Sequence, residues 1–496
     1  MVERKFKTLS DEIVPLNLET RMLVGGDLTT SDETFETEAP STGEVLTTVP
    51  RATQADVDRA IQAAQQASDR WTALSLSERR SKMEAFATHA QEHVDELLNV
   101  EVANNGSTIS LLRSDIERGI NRFNYFGGLI TELKGDTNPV DGHRISMTKR
   151  EPYGVVAKNV PFNHPAMFAL SKIAAAIGAG NSIVLKPSEV TPLSALSIGR
   201  IVQKFDGFPP GLVNIITGGA TVGKMLVEHP GVGAISHTGG VESGKAVMES
   251  AAKNLTPVSL ELGGKNPIIV FPDTSIEKAA DGVVGGMSLK WQGQSCQSGT
   301  RLLAHADIYD ELVDRVVERF EALNCGDPFD PSADMGAVVS KSHFDRVMEY
   351  IETGKEEGAT LLTGGEPARP GDEGYFIKPT IFEVEPGMTI EQEEIFGPVL
   401  SILKWQDYNE MLEIANGVRY GLTGSVWTDD LSTAHQTADQ IDAGIVWVNE
   451  HVKLPINAPA GGFKHSGFGK NFGIYELEHL TREKHVYVNA EGPHRG

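Results

Sequence analysis

The feature that most restricts the fold is a repeating alternation that starts near residue 155. Short unbroken apolar runs, "VVAK" at 155–158, "SIVLKP" at 182–187, "VNIITG" at 213–218 and "AISHTG" at 234–239, each end in a Gly- or Pro-bearing turn. Most are followed by helical segments such as 191–204 and 222–228. A strand that is apolar at every position is buried on both faces, which happens when helices cover both sides of a parallel sheet. A second series opens near 266 with "NPIIVF" and runs through helical stretches at 307–324, 341–357 and 408–416 and the strands "SILKW" and "GIVWVN". Two α/β domains are therefore expected, as befits 496 residues, too many for a single core. Residues 53–104 carry apolar positions at helical spacing with polar starts at Thr53 and Ser77, predicting two surface helices. The polar stretch 131–152 and the tail after Leu480 have short alternating runs suited to strands that pair outside either core.

Composition narrows the function classes. With 44 basic against 68 acidic residues the net charge is −24, which argues against a nucleic-acid partner, since phosphate binding needs a clustered basic surface. Two cysteines, Cys296 and Cys325, make neither a disulfide framework nor a metal cluster, and no leader opens the chain; a cytoplasmic protein without a metal is expected. The longest apolar passage, 166–185, is broken by Lys172, Gly178, Gly180 and Asn181, so it reads as a core helix running into a strand, with no membrane partner.

Cys296 sits in "WQGQSCQSG", where nothing apolar asks for a thiol. It reads as a loop thiol or as a nucleophile, and a nucleophile needs a base and a donor aimed at the developing oxyanion. Glu261 in "SLELGGKNP", at the end of an apolar run, is the candidate base; its bland alternative is a solvated strand end. Asn163 in "VPFNHPAMF" is fenced by Pro161 and Pro165, which presents its amide rigidly unless it merely satisfies its own turn. The dinucleotide fingerprint G-x-G-x-x-G is absent. Instead Gly239 and Gly244 in "HTGGVESGKAVME" frame a helix start that suits a pyrophosphate. Lys186 and Glu189 in "VLKPSEVTP" follow another buried strand, where an acid accepts from ribose hydroxyls and discourages a 2′-phosphate. The alternative there is a capped helix start built on Ser188.

Together these stretches resemble the aldehyde dehydrogenase superfamily from about residue 20 to 490. The matching motifs are "FNHP" (162–165), "KPSE" (186–189), "ELGGKNP" (261–267), "GQSC" (293–296), "EEIFGPV" (393–399), "GIVWVN" (444–449) and "GGFKHSGFG" (461–469). The resemblance implies a Rossmann-like cofactor-binding domain (1–130 and 153–263), a catalytic α/β domain (264–465) and small β oligomerisation or bridging segments (131–152 and 466–496). It implies NAD, with NADP as the other admissible cofactor, and a homodimer or homotetramer. Cys296 would attack the aldehyde, Asn163 and the Cys296 N–H would hold the oxyanion, and Glu261 would activate water to hydrolyse the thioester. Lys172 matches a lysine placed behind the site. Lys186, Ser188, Glu189, Gly219, Gly239, Gly240, Gly244 and Leu262 match the adenosine and pyrophosphate side, and Glu394 and Phe396 the nicotinamide side. Glu261 also separates this chain from the coenzyme-A-acylating branch, so a free acid is the expected product.

Departures bear on substrate. Phe162 and His164 stand where many relatives have Trp and another residue before the proline, Trp291 replaces a frequent Asn, Gly240 a Ser, and Asn471 a Glu, which weakens any carried-over proton relay. With Phe168, the residues Phe162, His164, Ser171, Trp291, Leu454 and Ala460 are expected to line the substrate entrance. The last two and Ser171 are smaller than the aromatic residues common there, leaving an incomplete cage for a quaternary ammonium. Aromatic or medium-chain aliphatic aldehydes are the expected substrates. A semialdehyde or betaine aldehyde is the rival, and a non-catalytic structural family member the rival of a different class.

Overall fold

The computed structural model describes residues 1–141, 143–369 and 374–489. Two mainly parallel sheets dominate it. In the first the order is Gly467–Phe468, Val258–Glu261, Ala234–Thr238, Val155–Asn159, Ser182–Lys186, Val213–Ile215, Met22–Val24, Asp27–Thr29. The strands from 155 to 215 step one way and those from 234 to 261 step the other, so the order reverses beside Val155–Asn159. At such a reversal the carboxyl ends of two neighbouring strands open a crevice, because their following helices pack on opposite faces. All five residues of Val155–Asn159 and of Ser182–Lys186 are buried, as their unbroken apolar runs require.

The second sheet runs Thr360–Thr363, Thr380–Glu383, Val399–Trp405, Arg301–His305, Pro267–Val270, Thr423–Trp427, Ile445–Val448, parallel except at its first pair. A third, three-stranded sheet joins Thr481–Asn489 to Arg144–Pro152 in antiparallel register, with Thr137–Asn138 at its edge. Residues 490–496, grouped above with the bridging segments, lie outside the described residues. Within 466–489 the chain is not uniform. Gly467–Phe468 pairs with Leu260 and Glu261 on the edge of the first sheet, and the helix Gly473–His479 packs on Pro165–Gly178 before the third sheet begins.

The N-terminal helices differ from the expected pair on the surface. Three helices, Gln54–Thr72, Leu76–Gln91 and Val94–Asn105, occupy that stretch, and a fourth, Ile109–Leu129, follows. Thr53 caps the first, but the second starts at Ser75 and not Ser77, because the Ser75 hydroxyl accepts from the Glu78 N–H while the Glu78 carboxylate accepts from that of Ser75. Trp71, Phe86, Phe123 and Phe126 from these helices are fully buried in the largest core, so amphipathic spacing marks here a covering layer and not a free surface.

One buried ion pair ties the loops of the second sheet. Arg301 and Glu391 are 0% and 1% exposed and 2.9 Å apart. The same guanidinium donates to the carbonyls of Lys265, Ile414 and Ala415. Removing one partner of such a pair strands a charge in a medium that cannot solvate it. Arg301→Leu is therefore expected to lower unfolding stability by about 3–5 kcal/mol in urea titrations; an unchanged midpoint would show that this network is dispensable.

Candidate active site

Asn163 is delivered by the strand Val155–Asn159 and held by the helix that begins two residues later. That helix, Pro165–Gly178, has Pro at its first position and no side-chain cap from His164. Its free amide end is met by Glu101, whose two carboxylate oxygens both accept from the Ala166 N–H at 3.1 Å. Burial raises the Glu101 carboxyl to about 7. Asn105 donates to the Phe162 carbonyl at 2.8 Å, fixing the peptide that carries Asn163. The Asn163 amide nitrogen donates one hydrogen to the Gln294 carbonyl at 2.9 Å, which ties it to the cysteine loop and leaves its second N–H for another acceptor.

The cysteine loop is clamped from the second sheet. Asn266 donates to the carbonyls of Cys296 and Ser298, both at 2.8 Å, and accepts from the Thr423 N–H. Gly293 lies in left-handed backbone at φ +68°, and a β-carbon there would fall 2.2 Å from the Gly397 carbonyl oxygen. Its smallness lets the loop close on its own scaffold. Burial, then the Glu394 and Glu261 carboxylates, push the Cys296 thiol up to about 12, so without a cationic neighbour it is a protonated thiol.

Glu261 ends the strand Val258–Glu261 with one carboxylate oxygen buried and unpartnered. Burial raises its carboxyl to about 8, against the pull of Lys172 and Lys158. Together with Asn163 and Cys296 it lines one cavity of about 130 Å³, walled also by Phe162, Phe168, Leu262, Glu394 and Phe396. Glu394 accepts from the Gly264 N–H at 3.0 Å, and burial brings its carboxyl to about 7. Phe396 is strained into left-handed backbone at φ +61°. His343 holds it there by donating to the Phe396 carbonyl at 2.8 Å, and Phe162 meets its ring edge to face at 5.6 Å.

The crevice at the strand reversal continues this cavity past Thr238, Gly239 and Gly240. Gly240 caps the helix Val241–Ala252 without a side chain, and a β-carbon on it would meet open space. Gly244 lets that helix approach Leu262, whose methyls would lie 2.8 Å from an added β-carbon. Gly219 similarly abuts the Glu189 carboxylate at the start of Ala220–Val227. Lys186 is buried and donates to the Pro187 and Gly218 carbonyls, with burial bringing its amine down to about 8. Ser188 is half-buried in a turn and does not cap a helix, since the next one starts at Leu193 with Pro192 as its cap.

Five expected entrance residues do not line the cavity. His164 and Trp291 turn to Asp115, donating to its carboxylate at 2.6 and 3.3 Å, with their rings tilted at 57° and their centroids 5.2 Å apart. Ser171 turns its hydroxyl to the Met167 sulfur, Ala460 pairs with Asn471 through backbone hydrogen bonds, and Leu454 lies half-buried in the preceding loop. Lys172 is 5% exposed and donates to Asn471 at 2.6 Å and Glu476 at 2.5 Å. Sequence reading missed Lys158, Thr238, His343, Arg346 and Glu476; only Lys158 carried a signal, as a lysine inside a buried strand.

A thiol, a carboxylate, an amide donor and a glycine-framed helix start are gathered where two mainly parallel α/β sheets meet, the arrangement of a dinucleotide-fold enzyme class. A family model described as the aldehyde dehydrogenase family matches residues 28–486, and the chain belongs to that family, whose members are oxidoreductases acting on aldehydes. It is 42% identical over 472 residues to aldehyde dehydrogenase tropH of Talaromyces stipitatus, covering 93% of this chain and 91% of that protein. Its fold is similar to that of the aldehyde dehydrogenase from Bacillus cereus solved as an NAD+ complex, with TM-score 0.93 and 37% identity, over 96% of this chain and 97% of that one. PnpE from Pseudomonas sp. WBC-3 is equally similar in fold, with TM-score 0.93 and 36% identity over 96% and 100% of the two chains.

The carboxyls of Glu101, Glu261 and Glu394 are all raised, to about 7, 8 and 7. Each binds its proton more tightly folded than unfolded, so stability falls as pH rises from the unfolded carboxylate range to these values and levels off above them. Urea midpoints measured between about pH 5 and about pH 9 are expected to fall in the parent and to fall less in Glu261→Gln; equal slopes would mean that Glu261 is not held protonated.

Proposed function

We propose that the chain oxidises an aldehyde to the free carboxylic acid with NAD, through covalent intermediates on Cys296. The observation that carries this reading is the convergence of Cys296, Glu261 and Asn163 on one cavity that also meets Glu394, Phe396 and the glycine-capped helix start. Those residues fit the cofactor: Gly239 and Gly240 leave room for a pyrophosphate at the helix N-terminus, Glu189 stands where a ribose diol would bond, and Glu394 and Phe396 flank the reacting end. Glu189 favours NAD over NADP. The cofactor supplies the hydride acceptor.

The protein's own part is then as follows. Cys296 Sγ gives its proton to solvent in the cavity and bonds to the aldehyde carbon as the C=O π bond opens, and the free Asn163 N–H donates to the oxygen that becomes negative. After oxidation of the thiohemiacetal to the thioester, Glu261 takes a proton from water, whose oxygen attacks the acyl carbon and releases Cys296 and the acid. The rings of Phe162 and Phe168 wall the substrate side, which supports an aromatic or medium-chain aliphatic aldehyde over a semialdehyde; the one guanidinium at this cavity, Arg346, sits by Glu394 and donates to its carbonyl. A non-catalytic role would leave the buried, unpartnered Glu261 without a purpose.

The test is reduced-nicotinamide absorbance over a panel of aldehydes with NAD and, separately, NADP. Turnover is expected with NAD, to be abolished in Cys296→Ala and reduced in kcat by about 10²–10³ in Asn163→Ala. No turnover from the folded parent, or full turnover in Cys296→Ala, would sink the reading.

The third sheet supports a homo-oligomer. Ile145, Met147 and Val488, 48%, 38% and 39% exposed, share one face of its two long strands, an apolar surface that invites a second copy. Light scattering after size exclusion is expected to give a dimer or tetramer, and the double variant Ile145→Asp, Val488→Asp a smaller species. A monomeric parent would refute the assignment.

A further inference from the structure

Behind the catalytic cavity lies a second one, of about 110 Å³, lined by Lys158, Lys172, Ser236, Ser259, Asn471 and Glu476 among others. Lys158 is the unusual member. It projects from the central strand of the first sheet and is 1% exposed. Its amine donates to Ser236 Oγ at 2.8 Å and Thr238 Oγ1 at 3.1 Å. Both partners are hydroxyls, whereas the neighbouring Lys172 has the Glu476 carboxylate at 2.5 Å. A buried ammonium served only by hydroxyls is costly, so this amine is held well below the ordinary lysine value, chiefly by burial and then by Lys172.

Strand register puts the two cavities in contact. Lys158 pairs with Ser236, Ser236 with Ser259, and Thr238 with Glu261, so all five side chains stand on one face of the sheet. Thr238 lines the catalytic cavity while its hydroxyl accepts from Lys158, which lines the other. The charged and titratable groups facing Lys158 are Glu261 two strands away across Ala234–Thr238, Lys172 from Pro165–Gly178, Glu476 and His479 from Gly473–His479, Lys470 before it and Tyr153 ahead of its own strand. His237 lies in the same strand as Ser236 and Thr238, pointing to the opposite face. Of these, Lys172 and Glu476 already neutralise each other.

We propose that Lys158 is a positioning and proton-accepting residue that acts through Glu261, taking from it the proton released by the hydrolytic water and passing it to the second cavity. This rests on the catalytic reading given above. In balance, an O–H bond of water breaks, its oxygen bonds to the acyl carbon, and its proton goes to the Glu261 carboxylate. That proton then moves to the lone pair of the Lys158 amine, restoring the carboxylate and leaving an ammonium that sheds the proton to solvent in the second cavity. The ammonium also favours the Glu261 carboxylate while it exists. Glu261 is thus reset without water entering from the substrate side.

The test uses the full-length enzyme with NAD and its best aldehyde, as Lys158→Met and Lys158→Gln. The first-turnover burst of reduced nicotinamide is expected to persist while steady-state turnover falls at least about tenfold. Acyl-enzyme on Cys296 should accumulate in quenched samples read by mass spectrometry. The acid limb of the kcat profile, which in the parent includes the amine that must be free to accept the proton, should shift its midpoint in both variants. In Lys158→Ala, added methylamine should restore part of the lost rate. A lysine that only fills space would lower turnover evenly with the midpoint unmoved and no amine rescue, and that result overturns the proposal. If one variant fails to fold, the other decides by the same readouts. A parent with no burst, or a burst indifferent to Cys296→Ala, would condemn the underlying mechanism instead.

Discussion

The side chain of Asn266 is the joint on which the site depends. It stands between two glycines' worth of loop after Glu261 and the first strand of the second sheet, and its three hydrogen bonds reach Cys296, Ser298 and Thr423. One amide therefore ties the backbone of Cys296 to the strand Thr423–Trp427, while the same short connection follows Glu261 at the end of a strand of the other sheet. Cys296 and Glu261 are positioned by opposite ends of one segment, 261–267, so any rotation of the two sheets that separated them would first have to break these bonds. Positioning of this kind supplies rate by fixing reacting groups before the reaction begins.

Electrostatically the site is expensive. Burial raises the thiol and both carboxyls, Glu261 and Glu394, all toward their neutral forms, and the nearby lysines only partly oppose it for the carboxyls. At rest the centre is therefore close to uncharged, with the paired Lys172 and Glu476 beside it. A neutral site does not hold water tightly and admits an aldehyde at little desolvation cost, but it must gain charge when the thiol and the water lose their protons. In the mechanism proposed above, Asn163, with one N–H committed to Gln294, would meet that charge with a neutral dipole already fixed in place.

The two sheets were legible because a strand buried on both faces has no polar position to confuse its period, as in "SIVLKP" and "AISHTG". Cys296, Glu261 and Asn163 were legible for a related reason: each interrupts a pattern, a thiol among glycines, an acid closing an apolar run, an amide between prolines. What failed was inference about which way a side chain turns. His164 and Trp291 lie next to residues of the cavity along the chain yet face Asp115, which is 176 positions from Trp291, and no local spacing encodes that contact. The same holds for Glu476. Asn471 at a place where relatives carry Glu suggested a missing carboxylate behind Lys172, but the helix Gly473–His479 turns Glu476 back to the same amine, so that the charge is supplied from one turn further along.

This relocation bears on how the acidic chain distributes its charge. The net charge of −24 belongs to the outside, while Lys158, Lys172, Lys186 and Lys265 are 1%, 5%, 9% and 1% exposed at or near the ends of the strands that bear the site. Lysine is the cation suited to such places, because unlike arginine it can lose its charge when burial demands it. Burial lowers the amines of Lys158, Lys186 and Lys265, each of which can then be present as ammonium or amine according to the charge state of the carboxylates around it. An interior built this way keeps its net charge near zero through a cycle in which protons are lost and regained, which a fixed set of arginine ion pairs like Arg301–Glu391 could not do. The structure places the fixed pair where loops are held and the amines lowered by burial beside the site.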